Sequence, residues 1–200
     1  ISKIDIERSM FDRSSSHKTS FNVGQLIPFY VDEVLPGDTF NVKTSVVVRL
    51  QTPLTPIMDN IYMDTYYFFV PNRIVWNHWK EFMGENYDPS YVPQTEYVVP
   101  KIKAPDDGWN TGSLADYLGL PIGVPNSADY PINHLPFRAY CKICNEWFRD
   151  QNLTDEVVIN TGDTLTLGSN GDDQVTDIEK GGTPFIVAKY HDYFTSCLPW

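Results

Sequence analysis

Two hundred residues with a formal net charge of −11, 42% apolar and 14% aromatic side chains suffice for one domain with a real core. The acidity excludes a general binder of double-stranded nucleic acid, whose affinity comes chiefly from lysine and arginine on phosphates. No apolar run approaches the roughly 20 residues of a membrane helix, so no membrane insertion is expected, and three cysteines without a secreted disulfide spacing point to a reducing compartment.

Residues 1–20 are polar and serine-rich, without a sustained period, and are expected to form an arm. They hold one net positive charge, which leaves −12 for the rest of the chain. Two readings of the arm stand side by side. Arg8, Arg13 and Lys18 meet phosphates while Phe11 or His17 stacks on an unpaired base, the usual pairing of forces on single strands. Alternatively the arm packs on a neighbouring subunit, with Arg8 and Arg13 paired to its carboxylates.

Leu26 to Val34 reads as a short strand, followed at Leu35-Pro36-Gly37-Asp38 by a type II turn with Pro and Gly in the central positions. Phe40, Val42, Val46, Val48 and Leu50 fall on one face of the next predicted strand, opposite Asn41, Lys43, Ser45 and Arg49. Thr52-Pro53 ends it. Residues 61–70 close in Tyr66-Tyr67-Phe68-Phe69-Val70 and stop at Pro71, which has no N–H for a ladder. Both faces of this strand are aromatic or apolar, which calls for cover on both sides, from its own domain or from a neighbouring subunit.

Beyond Pro71 the pattern changes. Val75 to Met83 is predicted as a short helix with Trp76, Trp79 and Phe82/Met83 on one face. Prolines punctuate 89–105, so no long element persists there. Ser113-Leu114-Ala115-Asp116 resembles a capping box opening a short helix that Gly119 ends. The strongest helix pattern runs from Pro136 to Asp150, its apolar stripe being Tyr140, Ile143, Cys144, Trp147 and Phe148. Val157–Ile159 and Thr164–Leu167 are expected as a hairpin, Gly168–Asp173 as a flexible acidic stretch, and Pro184–Lys189 as a last strand. The reading is mainly β: strands, a mixed helical and loop insertion over about 71–185, then a strand.

Catalytic and metal chemistry find no support. Cys141 and Cys144 lie inside a helical apolar stripe, and His134, His191 and Cys197 form no second paired motif, so the thiols are read as core and no metal site or cofactor is expected. Asp163, Asp172, Asp173, Asp177 and Glu179 do not match a calcium loop and read as a solvated acidic loop. His191 and Asp192 are adjacent on a strand and face opposite ways, and no Gly-x-Ser-x-Gly elbow accompanies them. Asn152-Leu153-Thr154 fits a glycosylation acceptor, a triplet that arises often by chance.

A series of ordered matches carries a family resemblance: Phe11-Asp12-Arg13-Ser14, Lys18-Thr19-Ser20-Phe21-Asn22, Glu33-Val34-Leu35-Pro36-Gly37-Asp38-Thr39-Phe40, Arg49-Leu50-Gln51-Thr52-Pro53, Phe68-Phe69-Val70-Pro71-Asn72-Arg73, Leu135-Pro136-Phe137-Arg138-Ala139-Tyr140, Asn145-Glu146-Trp147-Phe148-Arg149-Asp150 and His191-Asp192-Tyr193-Phe194. In these the chain resembles the major capsid proteins of microviruses, particularly the gokushovirus branch of single-stranded-DNA phages. That family's protein is much longer, so the chain is expected to be its N-terminal portion, in keeping with an opening Ile1 and a closing Trp200. The resemblance implies a viral jelly-roll β-sandwich with long helix-containing insertions, only part of it in this chain. It implies a non-enzymatic structural protein that self-assembles in the host bacterial cytoplasm into a T=1 icosahedral shell around circular single-stranded DNA. It also implies an arm toward the capsid interior, a small basic DNA-binding virion protein to offset the acidity, and a host surface receptor met by the assembled capsid. The receptor-facing protrusion would belong to residues after Trp200. Tyr67, Phe69, Trp76, Trp79, Trp147, Phe148, Tyr193 and Phe194 are the side chains expected in a core or a subunit interface. Two rival readings are a carbohydrate-binding sandwich using Trp76 and Trp79, and a hydrolase dependent on His191.

Overall fold

The computed structural model describes residues 9–86, 95–194 and 196. Among them every helix and strand lies between Asn72 and Leu167: helices α1 (Trp79–Phe82), α2 (Leu114–Tyr117) and α3 (Leu135–Ile143), and strands β1 (Lys101–Lys103), β2 (Ile132–Asn133) and β3 (Thr166–Leu167). A 3-10 turn precedes α1 at Asn72–Ile74, another lies at Asn126–Ala128, and a π-helical turn extends α3 over Cys144–Phe148.

The strands form one small mixed sheet in the order β2-β1-β3, in keeping with a β-rich chain. β1 and β2 run antiparallel, with Ile102 opposite Ile132, while β1 and β3 run parallel, with Ile102 opposite Thr166. The hairpin expected over 157–167 does not form. Thr166–Leu167 instead crosses to Ile102, whose side chain is buried, and Val158 donates to the Val175 carbonyl at 2.9 Å.

Helix α3 organises the packing. Phe137, Tyr140, Cys141 and Cys144 face a core with Ile102, Trp109, Leu114, Val157, Ile178 and Phe185. Leu135 faces a second cluster with Val75 and Trp76. Tyr140 ties distant chain to this helix: its hydroxyl donates to Leu26 O at 2.7 Å and accepts from the Phe185 amide at 3.0 Å. Around that tie runs the only ladder fragment of the predicted first and last strands. It is a bridge of Gln25 with Ile186, flanked by Leu26 N–H to Phe185 O at 2.9 Å and Val187 N–H to Gly24 O at 2.8 Å. Both thiols are buried as expected, and burial holds Cys141 far above its ordinary range and pushes Cys144 up to about 12.

Local signals are obeyed where the chain alone decides. Ser113 caps α2, its Oγ accepting from the Asp116 amide at 3.3 Å, and Asp116 returns to the Gly112 amide at 2.8 Å. Asp38 N–H donates to Leu35 O at 3.1 Å across Pro36-Gly37, and Gly37 takes the φ of 84° that a type II turn requires. The predicted helix 75–83 is broken instead. The Asn77 amide leaves the helical path to donate to Thr161 O at 3.1 Å, so a 3-10 turn and α1 flank a kink. Residues 26–71 hold no helix or strand. A strand needs a partner's backbone to complete its ladder, and no described segment forms a ladder with 40–50 or 61–70.

Candidate functional site

Two features stand out, an aromatic ridge and a buried polar joint. The ridge is built by residues 66–69, whose side chains alternate as a strand's do. Tyr66 and Phe68 turn one way onto the end of α3: Tyr66 meets Phe148 at 5.3 Å between ring centroids, and Phe68 meets Trp147 at 5.7 Å and Phe148 at 5.9 Å. Tyr67 turns the other way, edge-on to Phe29 at 5.9 Å and against the Thr44 hydroxyl. The expectation that both faces need cover is met only in part, since Phe69 is 72% exposed and Trp147 71%.

Trp147 therefore leaves the stripe assigned to it. At 3.6 residues per turn it continues the Tyr140–Ile143–Cys144 line, but the π turn changes the phase. Asn145 holds that turn, its side chain donating to Val157 O and accepting from Val157 N–H, both at 2.9 Å. The buried line of α3 is thus His134, Phe137, Arg138, Cys141, Cys144 and Asn145. Its polar members were missed because an apolar stripe was sought, although the spacing of 134, 138, 141 and 145 already places them on one helical face.

The joint centres on Arg138, whose side chain is wholly buried. Its Nε donates to His134 Nδ1 at 3.3 Å and lies 3.7 Å from Glu179 Oε1. Its two terminal nitrogens donate to Val75 O at 3.3 Å and to Gly162 O at 2.9 Å. Glu179 Oε1 in turn accepts from the Asn160 amide at 2.9 Å. One guanidinium thus joins α3, the Trp76 segment, the 159–163 loop and the 177–183 loop. With Arg138 donating to Nδ1, His134 carries its proton on Nε2 and gives it to Glu179 O at 3.0 Å. Burial, aided by the Arg138 charge, lowers His134 to about 4, and burial raises Glu179. Glu179 does not belong to a solvated acidic loop: a carboxylate left unpaired inside the protein is costly, and this one has Arg138 and a backbone amide to hold it.

Asp163 is also tied down, accepting from Trp76 Nε1 at 2.5 Å and lying 2.7 Å from His78 Nδ1. Trp76 is fully buried, with Trp79 at 6.1 Å and Phe82 at 5.2 Å, so the aromatic triad predicted on one face does assemble despite the broken helix. A tryptophan so enclosed presents no face to a sugar, which removes the exposed pair that a carbohydrate-binding reading needs.

The remaining expected residues lie apart. Phe11, His17 and Lys18 are exposed, and Arg13 pairs with Asp32 at 2.5 Å, a carboxylate of this same chain. Arg8 falls outside the described residues. Tyr193 and Phe194 meet each other at 5.7 Å and are otherwise exposed. His191 Nε2 is 4.0 Å from Asp150, a contact with a different carboxylate from its neighbour Asp192. Among the described residues no group of His, Cys, Asp and Glu converges on a metal-sized site, and no helix is long and apolar enough to cross a membrane.

An exposed apolar ridge is a feature of association, and the relatives agree. The family described as "Capsid protein (F protein)" matches residues 1–200. This chain belongs to the phage capsid protein (F protein) family. Capsid protein VP1 of Spiroplasma virus 4 is 48% identical over 185 residues, covering 92% of this chain and 33% of that protein. Capsid protein VP1 of Bdellovibrio phage phiMH2K is 42% identical over 200 residues, covering 100% of the chain and 34% of the relative. Capsid protein VP1 of Chlamydia phage 1 is 42% identical over 205 residues, covering 97% and 33%. The chain spans about a third of the length of the curated relatives it matches. The resemblance to microvirus capsid proteins is borne out, and a capsid family offers no support to a hydrolase.

Proposed function

We propose that this chain is the N-terminal part of a structural major capsid protein that self-assembles into a small T=1 icosahedral shell around circular single-stranded phage DNA. The observation that carries the reading, beside membership of the capsid family, is the uncovered apolar chain of residues 40–70, ending in Phe69 and backed by Trp147. Exposed apolar surface on this scale marks a place where protein packs on protein. In the proposal, the remaining two thirds of the protein pair with 40–50 and 61–70 to complete a jelly-roll sandwich, and neighbouring copies cover what is left. Residues 21–200 then form one part of that domain, with 71–185 as its insertion. Different surfaces of each copy meet five-fold, three-fold and two-fold neighbours, and modest contacts add up to closure. The protein performs no chemistry.

The arm of residues 1–20 faces the interior in this reading and touches DNA through Arg8, Phe11, Arg13, His17 and Lys18. A net charge of −11 neutralises no genome, so a small basic virion protein, polyamines or metal ions supply the balancing cations. Assembly takes place in the host bacterial cytoplasm, and the finished shell meets a receptor on the host surface.

Negative-stain electron microscopy with sedimentation, on the complete protein expressed with its genome neighbours, tests the reading. Uniform closed icosahedral particles are expected, and a discrete soluble monomer overturns it. Phe69→Asp or Trp147→Asp is expected to abolish those particles, since each sets an unpaired charge where apolar packing is needed. Normal particles from both variants remove the ridge from the assembly surface.

The arm has its own test. Arg13→Ala combined with Lys18→Ala is expected to leave shells intact and to lower the packaged DNA, read from the ratio of nucleic-acid to protein absorbance. Arg13 is exposed, and its pair with Asp32 is worth no more than about 1 kcal/mol, so stability is little changed. Full packaging takes the arm out of genome binding.

A further inference from the structure

We infer that the His134–Arg138–Glu179 joint is an acid-sensitive latch, in which protonation of His134 drives Arg138 off the Val75 and Gly162 carbonyls and frees the Trp76 segment from the body. The geometry carries this directly. Neutral His134 Nδ1 is an acceptor, taking Arg138 Nε–H at 3.3 Å and hydrogen-bonding the Thr166 hydroxyl at 3.4 Å. A proton on Nδ1 turns that acceptor into a donor and sets two cations side by side, both wholly buried. Among the described residues, the charged groups at the imidazole are Arg138 from α3 itself and Glu179 from the 177–183 loop, its Oε1 3.8 Å from Nε2, while Asp163 from the 159–163 loop acts on Arg138. β3 contributes the neutral Thr166, and the segment before β1 only the Pro100 carbonyl, which accepts the His134 backbone amide.

Protonation adds a second buried cation beside Arg138, which already shares Glu179 and feels Asp163 from further off, and a second buried charge is costly enough to displace the movable partner. That partner is Arg138, among the described residues the side chain bonded to both Val75 O and Gly162 O. Those carbonyls flank Trp76 and Asp163, the second tie between the same two segments. The sign agrees. A histidine whose folded value of about 4 lies below its ordinary 6.5 binds its proton more readily when released, so the closed joint loses stability as pH falls from 6.5 toward 4 and levels off below. Glu179, raised by burial, has the opposite slope as it protonates, but its neutralisation takes the counter-charge away from both cations.

The latch is a property of the folded chain and does not depend on the capsid reading. What rests on that reading is its consequence: the Trp76 segment follows Pro71 directly from the extended segment that bears Phe69, so an opened latch loosens the ridge of an assembled shell.

Hydrogen exchange read by mass spectrometry, on the whole protein unassembled and in particles, decides the matter. With rates corrected for the intrinsic effect of pH, protection of Trp76 and Asn77, whose amides donate to Asn72 O and Thr161 O, is expected to fall about tenfold per pH unit from 6.5 toward 4. The amide of Leu118, bonded within α2, serves as the reference and should hold its protection. Unchanged protection at Trp76 and Asn77, or an equal loss at Leu118, overturns the latch. His134→Gln offers an amide donor and acceptor without titrating and is expected to flatten the pH dependence. A well-folded His134→Gln protein with the wild-type profile overturns the assignment to His134. If that variant does not fold, the wild-type profile decides alone. Failure of the latch leaves particle formation untouched, and failure of assembly leaves the exchange profile readable.

Discussion

Arg138→Met is expected to destabilise the unassembled protein by about 3–5 kcal/mol, the cost of breaking a buried ion pair from one side. Methionine matches much of the arginine volume, so the loss is not chiefly a cavity. It comes from what Arg138 leaves behind: Glu179 with only the Asn160 amide, and the Val75 and Gly162 carbonyls without their donors. Lysine is no rescue, because one ammonium on a flexible stem does not present three nitrogens in a fixed fork to His134, Val75 and Gly162. Adding Glu179→Gln to Arg138→Met should recover part of the loss by removing the stranded charge. The urea midpoint of each variant measures this. Arg138→Met within about 1 kcal/mol of wild type would show that the joint does not hold the fold, since only larger costs mark a lost buried network.

The second large effect is Gly108→Ala. Gly108 has a φ of 80°, where a Cβ costs about 1–2 kcal/mol by itself. The added carbon would also sit 2.5 Å from the Val124 nitrogen and 2.7 Å from the Gly123 carbonyl carbon. Both are backbone atoms, held in turn by the Gly123 amide donating to Trp109 O at 3.0 Å, so no side chain can swing away. Overpacking of this kind adds about 1–3 kcal/mol. It also pushes on the Gly108 carbonyl, which accepts from Asn170 at 2.8 Å, and on Trp109 in the core. Gly119→Ala separates the two costs: its φ is 87°, yet nothing stands within 4 Å of the new carbon. Gly119→Ala should show the conformational cost alone, and equal urea midpoints for the two variants would refute the steric account.

Elements whose cause lies within a few residues could be read from the chain. The Ser113 cap, the Pro36-Gly37 turn, the helix entered at Pro136 and the buried thiols depend on short-range hydrogen bonding or on helical spacing, and they stand where expected. The aromatic strand was legible as a surface in need of cover, because composition alone makes both its faces apolar. Its partners were not legible, since period-2 alternation says that a strand buries a face without saying against what.

The errors share one physical origin, the diversion of a local preference by a distant group. Val75 to Met83 has the spacing of a helix, yet the Thr161 carbonyl captures the Asn77 amide and kinks it. Thr164–Leu167 has the pattern of half a hairpin, but the edge of β1 pairs with Thr166–Leu167 in parallel. Helical spacing puts Trp147 on the α3 stripe, but Asn145 bound to Val157 turns it out to solvent. Glu179 reads as one more charge in an acidic loop until Arg138 is found beside it.

By itself the sequence determined the family, the short-range caps and turns, and which segments must bury aromatic surface. These follow from residue order and from spacings of two to four along the chain. Tertiary structure alone decided that Arg138, His134 and Glu179 meet, that Trp76 is enclosed while Trp147 is not, and that β1 lies between β2 and β3. A buried charge or a strand edge is stable only with its partner in place, and the partner's position is a property of the folded chain.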